Sequence, residues 1–410
     1  MPLEKRLHLY LLELSVNRFL HVALITFVIF VADVAVEIYV PALPSIGVFF
    51  SATAVAVKAS VSGNILGLAL SSLFWGTLSD LWGRKPALLL GASVFIVSSV
   101  LCAFSTSVDA LVFFRFLQGI GQGVAVVVGF ASVKDFYSGD KCAQVISKLS
   151  SVVAISPTFA PILGTAILFY FSWHYTFLFL ALLESVCLVL LIFFFQETVK
   201  ERNPASLKSL FNSYIRIATN RNYVLYSAVT VITFMWLWNV ISSSPFLLLE
   251  DMGVTIREYG YLVAINVMGF LLGTILNNRY ITKVGLKKLV AFGLILPLFS
   301  EVTLIILHYT VGFSPLVLEC IWFFSAMGLA FVIGNSTTLA LDQVDESDNG
   351  KATALLVCSE MVLGALSVYL NAPFYDGTIV PLSSFTIVSV LISMLVFRYA
   401  VRGPTIKSVR

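Results

Sequence analysis

The chain has 410 residues, of which 59% are hydrophobic and only 11% charged, with a net charge of +3 and a mean hydropathy of +0.97. Soluble domains carry about a quarter charged residues, so composition excludes a soluble globular protein and leaves an integral membrane protein. Neither a nucleic-acid partner nor a cofactor is expected, and the five cysteines form no CxxC pattern that would imply a metal or a disulfide framework.

Apolar stretches of about 20 residues, the length that crosses a bilayer as a helix, recur twelve times, at roughly 20–40, 57–79, 86–104, 109–133, 144–168, 173–195, 222–246, 259–277, 289–308, 316–339, 352–371 and 378–400. Short connections leave helices, not a barrel, to satisfy the backbone in lipid. Before the first span, Leu3, Leu7, Leu11 and Leu14 recur at helical spacing, which fits either an interfacial amphipathic helix or a frayed terminus. The first span lacks a convincing cleavage site, so no removable signal is expected. The polar stretch 197–221 divides the spans six and six. This predicts an all-α membrane protein of two pseudo-symmetric six-helix bundles: residues 1–196, a central loop 197–221, and residues 222–410.

Charge placement supports the count. Of the 25 Lys and Arg residues, 22 fall in the termini and even-numbered connections, while Lys58 and Arg257 lie near the opposite face and Arg115 lies within a span. By the positive-inside rule both termini and the central loop of this multi-pass protein are cytoplasmic.

Ionisable groups within spans need a partner, a water-filled cavity or a function. Asp33 and Glu37 stand one turn apart on one face of the first span, and two such carboxylates raise each other's cost of ionisation. At least one is then suited to carry a proton. In the fourth span Arg115, Gln118 and Gln122 share a face, and the permanent charge of Arg115 is the expected partner of those acids. Glu184, Glu301 and Glu360 lie near the middles of the sixth, ninth and eleventh spans. Asp342, Asp345, Glu346 and Asp348 gather before the eleventh span, where they could pair with Arg84 or form a solvated loop.

The connection after the second span reads Gly76-Thr-Leu-Ser-Asp80-Leu-Trp-Gly83-Arg84-Lys85-Pro86, with a degraded echo at Asn277–Lys288 after the eighth. Asp80 and Arg84 are close enough to pair, and Gly76 would let two helices approach closely. GTLSDLWGRKPALL resembles the loop signature of the major facilitator superfamily. That resemblance implies two six-helix halves, a gate formed by Gly76, Asp80, Gly83, Arg84 and Lys85, and a midplane substrate site between the halves.

The fifth span carries Ser156-Pro157-Thr-Phe-Ala160-Pro161-Ile-Leu-Gly164, which resembles the superfamily's antiporter motif, with serine in place of its leading glycine. Together with EIYVPALPSI, FFRFLQGIGQG, AISPTFAPILG, QET and SSPFLLLEDMGVTIREYGYL, it resembles the bicyclomycin/chloramphenicol-resistance branch of twelve-span drug:proton antiporters. The resemblance implies proton-coupled export of small, lipophilic compounds by alternating access, probed against two competitors: a symporter or exchanger for one metabolite or siderophore, and a transport-dead sensor. It carries the proton-coupling acid onto Glu37, with Asp33 able to share the task. It further implies a cavity lined by Tyr39, Gln118, Gln122, Trp236, Asn239, Ser242, Asn266, Asn335 and Glu360, hydrogen-bonded structural roles for Glu184 and Glu301 in peripheral helices, an Arg84–Asp80 latch that closes the cytoplasmic side, and a monomer of a bacterial inner membrane whose partners are its substrate, protons and lipid. No catalytic nucleophile–base pair or HExxH pattern marks an enzyme.

Overall fold

The computed structural model describes the backbone of residues 3–137, 139–199, 207–345 and 348–402, and the side chains of these apart from 3–18, 73, 139, 140, 143, 147, 148, 150–155, 157, 158 and 207–211. Pro157, Glu346 and the leucines before the first span therefore lie outside the described side chains.

Among the described residues every regular element is helical. In chain order these are α1 (Leu3–Glu37), α2 (Leu43–Phe50), α3 (Ala54–Trp82), α4 (Arg84–Ala103), α5 (Val108–Phe136), α6 (Gly139–Tyr170) and α7 (His174–Phe194). Then follow α8 (Leu207–Ala218), α9 (Arg221–Pro245), α10 (Ile256–Val284), α11 (Leu286–Thr310), α12 (Pro315–Leu341), α13 (Asn349–Asn371) and α14 (Val380–Arg402). Eleven of them hold membrane-length apolar segments, and α6, 32 residues long, occupies the fifth place in the expected order of twelve. Two boundaries differ from the periodicity: α1 begins near the N-terminus, and the central stretch contains a helix of its own, α8.

Helix starts follow from local chemistry. Thr53, Ser107 and Ser314 accept backbone N–H groups of α3, α5 and α12, and Thr255 forms a reciprocal capping box with Glu258 on α10. Helices α3 and α4 are separated by Gly83 alone, at φ +109°, and α10 and α11 by Gly285 alone, at φ +84°. Both values suit glycine because no Cβ is present to clash. The echo thus keeps the left-handed turn of the first motif though its sequence has drifted.

Helices α1 and α3–α7 pack as one group, and α9–α14 as another, with α3 against α5 in the first matched by α10 against α12 in the second. In the first pairing a Cβ on Gly67 would stand 2.1 Å from the Phe116 carbonyl oxygen; in the second, one on Gly269 would stand 2.2 Å from that of Phe323. Such contact is how small residues bring helices together in lipid. Gly76 does not serve this purpose: a Cβ there would make ordinary contact with Val127 at 3.6 Å.

The groups meet where α3 packs on α13 and α6 on α10. Near Lys58 they share one apolar core, in which Val57 and Val61 of the first group join Trp238, Phe246, Ala365 and Val368 of the second. Toward Arg84 each group has its own core, one around Val28, Trp75 and Val128, the other around Tyr226, Val290 and Phe397.

Candidate functional site

On α1, Asp33 and Glu37 are half-buried, and the Asp33 Oδ2 atom is enclosed without a hydrogen-bond partner. Neither carboxylate forms an ion pair among the described residues. Glu37 is close enough to the Tyr259 hydroxyl of α10 to interact with it electrostatically, which places this acid where the two helix groups face each other.

The expected pairing with Arg115 is absent. The Arg115 side chain is fully buried, donates from Nη1 to the Ala35 carbonyl at 3.3 Å and to Gln118 Oε1, and lies 4.0 Å over the Tyr39 ring. Helical geometry explains this. At 100° per residue, Ala32 and Ala35 fall on the side of α1 roughly opposite Asp33 and Glu37, α5 approaches that side, and Tyr39 follows in the turn just past the helix end.

The same approach removes three residues from the expected cavity. Gln118 donates to Ser99 Oγ at 2.7 Å, Gln122 donates to the Ala32 carbonyl at 2.5 Å and accepts from Asn64 at 3.3 Å, and Tyr39 shares a hydrogen bond with Ser60 at 3.2 Å. All three are buried inside the first group. They clamp α1 to α3, α4 and α5, a task their shared helix face did not distinguish from lining a pore.

The second group behaves similarly. Asn239 donates to Ser367 Oγ at 2.9 Å and accepts from Asn371 at 3.1 Å, tying α9 to α13, while Ser242 donates to the Asn239 carbonyl at 3.2 Å. Asn335 donates to Asn277 Oδ1 at 2.7 Å, tying α12 to α10, and Trp236 is buried in the group's core. These residues brace helices. Asn266 and Glu360 make no hydrogen bond among the described residues, so they keep free polar groups. Glu301 has the structural role expected of it, accepting from Ser383 at 2.6 Å, whereas Glu184 accepts no hydrogen bond among the described residues. Glu319 of α12, also buried and with Oε2 unpartnered among the described residues, was not singled out in the sequence.

At the other end, Arg84 Nη1 meets Asp80 Oδ1 at 2.5 Å and Ser79 Oγ at 2.6 Å, and Nε meets Asp135 Oδ2 at 3.1 Å. Asp135 also accepts from Thr198 at 2.5 Å. All of these partners belong to the first group or the segment leaving it, so the Arg84–Asp80 pair forms while the groups are joined at the far end. It does not latch one group to the other. Nor does Arg84 meet the acidic cluster: Asp348 instead pairs with Arg216 of α8 and with Lys351 at 2.9 Å. The Lys351 hydrogen bond, with Arg216 beside it, holds the Asp348 carboxyl below the usual range.

Glu197, present in the sequence only as part of QET, is central to this turn. Its carboxylate accepts the backbone N–H groups of Arg84 at 2.9 Å, Lys85 at 3.1 Å, Thr198 at 2.9 Å and Val199 at 3.0 Å. It thereby caps the start of α4, where a negative charge is favoured. Burial pushes the Glu197 carboxyl up, but these four donors outweigh it and hold it below the ordinary glutamate range. Lys85 completes the turn, donating from Nζ to the Ile192 carbonyl at 2.8 Å.

In the antiporter-like motif of α6, Ser156 and Pro161 are buried, and a Cβ on Gly164 would stand 1.9 Å from the Ile38 carbonyl oxygen. The motif therefore presses on the chain just past the end of α1, one residue beyond Glu37.

Membrane-length helices in two matched groups, with uncompensated carboxylates on α1, fit a transport protein that acts on small molecules. The family model for the Major Facilitator Superfamily matches residues 25–368, and the chain belongs to that family. The chain is 27% identical over 347 residues to a bicyclomycin resistance protein homolog of Haemophilus influenzae, covering 84% of this chain and 83% of that protein. It is 32% identical over 230 residues to the multidrug resistance protein MdtL of Escherichia coli O157:H7, covering 56% of this chain and 58% of that one. Among solved structures, a D-xylose-proton symporter superposes with a TM-score of 0.73 at 15% identity, over 92% of this chain and 97% of the other, a likeness of fold alone.

Proposed function

We propose that this transporter exports small, lipophilic compounds in exchange for protons, by alternating access between the helix groups 1–196 and 222–410. The observation that carries the proton coupling is the Asp33–Glu37 pair: two carboxylates one turn apart, without a counter-cation among the described residues, with Glu37 within electrostatic reach of Tyr259 on the opposite group. A free acid in that position can take a proton from one side and release it to the other, and a substrate bound beside it competes with that proton. The names of the relatives from Haemophilus influenzae and Escherichia coli favour toxic compounds as substrates.

The distribution of Lys and Arg orients the chain with both termini and the Arg84 turn in the cytoplasm of a bacterial inner membrane. The shared core near Lys58 is then the outer seal, and the described state faces inward. In this reading Arg84, Asp80, Asp135 and Glu197 stiffen the α3–α4 turn so that the first group moves as one body. Helix α8 travels with the second group through Arg216 and Lys351. Asn266 and Glu360 offer polar groups to substrate, and the protein works as a monomer.

Each proton moving inward gains about 2.3 kcal/mol per 100 mV and about 1.4 kcal/mol per pH unit, enough to drive an appreciable substrate gradient. Inverted membrane vesicles provide the test: a lipophilic dye must accumulate when an inside-acid gradient is imposed, and an uncoupler must abolish it. Gradient-driven loss of dye from such vesicles would point to import instead and overturn the proposed direction.

A further inference from the structure

Lys58, near the start of α3, is 1% exposed, yet it makes no ion pair among the described residues. A buried ammonium without a carboxylate against it is costly, so its surroundings must stabilise it in another way. Its Nζ donates to Ser243 Oγ of α9 at 3.0 Å, and it sits 4.1 Å from the centre of the Tyr375 ring and 5.2 Å from that of Phe246. Both ring distances are within the roughly 6 Å over which an aromatic face attracts a cation. The Tyr375 hydroxyl donates to Asp251, which enriches the phenol ring in electron density, and Asp251 and Glu250 are both within electrostatic reach of the ammonium.

All of these partners belong to the second helix group, while Lys58 belongs to the first. The arrangement is a cation cage on one body filled by a tethered cation from the other. We propose that Phe246, Tyr375 and Ser243 form an organic-ammonium site, which Lys58 occupies as a built-in ligand when the outer end is sealed and which a small ammonium ion occupies when the groups part. The site selects for a cation because ring faces and nearby carboxylates repel anions. A free ammonium ion and Lys58 exclude each other, so such ions hold the outer end open. The inference rests on the two groups moving apart, not on the direction or driving ion of transport.

The test needs no transport assay. Spin labels at Val48→Cys and Tyr261→Cys, which are 78% and 69% exposed on opposite groups near this end, report the outer distance in purified protein lacking its native cysteines. Tetramethylammonium chloride is expected to enrich the longer distance relative to sodium chloride at equal ionic strength, and K58Q is expected to enrich it without any added cation. Binding of tetramethylammonium to K58Q, measured by calorimetry, should weaken roughly tenfold when Y375A is added, the scale of a desolvated cation–π contact. A wild-type distance distribution in K58Q, or tetramethylammonium binding indifferent to Y375A, would overturn the proposal. Should K58Q be poorly folded, the wild-type response to tetramethylammonium decides, since an unchanged distribution there contradicts competition for the cage. If vesicle assays reveal import, the cage stands; if the cage fails, the exporter reading stands.

Discussion

The Glu197 carboxylate lies directly over Gly83: a Cβ at that glycine would stand 2.3 Å from Glu197 Oε2. Two residues 114 positions apart thus share the turn between α3 and α4, and the glycine of the loop motif is needed for space as well as for its φ of +109°. G83A is expected to destabilise the protein by about 2–4 kcal/mol, combining backbone strain with steric displacement. In thermal unfolding of detergent-solubilised protein, G83A combined with E197A should cost less than the sum of the two, because the double variant has no carboxylate to displace. Strict additivity would refute the contact.

The same carboxylate gives a pH signature. Its folded pKa is lowered, so its contribution is complete above the unfolded glutamate value of about 4.3 and is lost as pH falls through the folded value. The stability advantage of wild type over E197Q should therefore be constant from pH 5 to 7 and shrink below about pH 4. An advantage that grew on acidification would reverse the sign argued from the four backbone donors.

For the acids of α1, E37Q and D33N are each expected to reduce gradient-driven transport, and the double variant to abolish it, while gradient-free exchange of substrate across vesicles persists. Full gradient-driven accumulation in the double variant would end the coupling proposal.

Arg115 supports α1 and does not neutralise its acids. R115A should cost about 2–4 kcal/mol, since it removes buried hydrogen bonds and a cation–π contact at once. A folded R115K variant should keep the wild-type pH dependence of transport while its maximal rate falls. A displaced pH profile would restore Arg115 as a partner of the carboxylates.

Asp348 fastens α8 to α13 through Arg216 and Lys351. D348N should leave the helix groups folded yet speed tryptic cleavage at Arg216 several-fold, as followed by gel. Cleavage at the wild-type rate would mean that α8 is held by other contacts.

Much of the fold was legible because bilayer physics writes it in one dimension. Span length, the polar break near 197–221 and the placement of basic residues need no tertiary information. The family signature is local, and so is the proximity of Asp80 and Arg84. Asp33 and Glu37 stand out in sequence because acids are rare in apolar helices.

What a side chain on such a helix touches is a different matter. Arg115 looked like the natural partner of two acids by charge, but the face of α1 that α5 meets decides the outcome, and that face carries Ala32 and Ala35. Gln118, Gln122, Asn239 and Asn335 read as cavity polarity; their hydrogen bonds are spent holding neighbouring helices together, since in lipid a buried amide must find a partner wherever packing offers one. Asp135, Glu197 and Lys58 drew little notice, being ordinary residues near helix ends whose partners lie 51, 113 and 185 positions away. Sequence determined the membrane class, the order of spans and the turn chemistry, because hydropathy and backbone preference act locally. Tertiary structure alone decided which charges meet and which stay free, because helix rotation and the contact between the two groups set those distances.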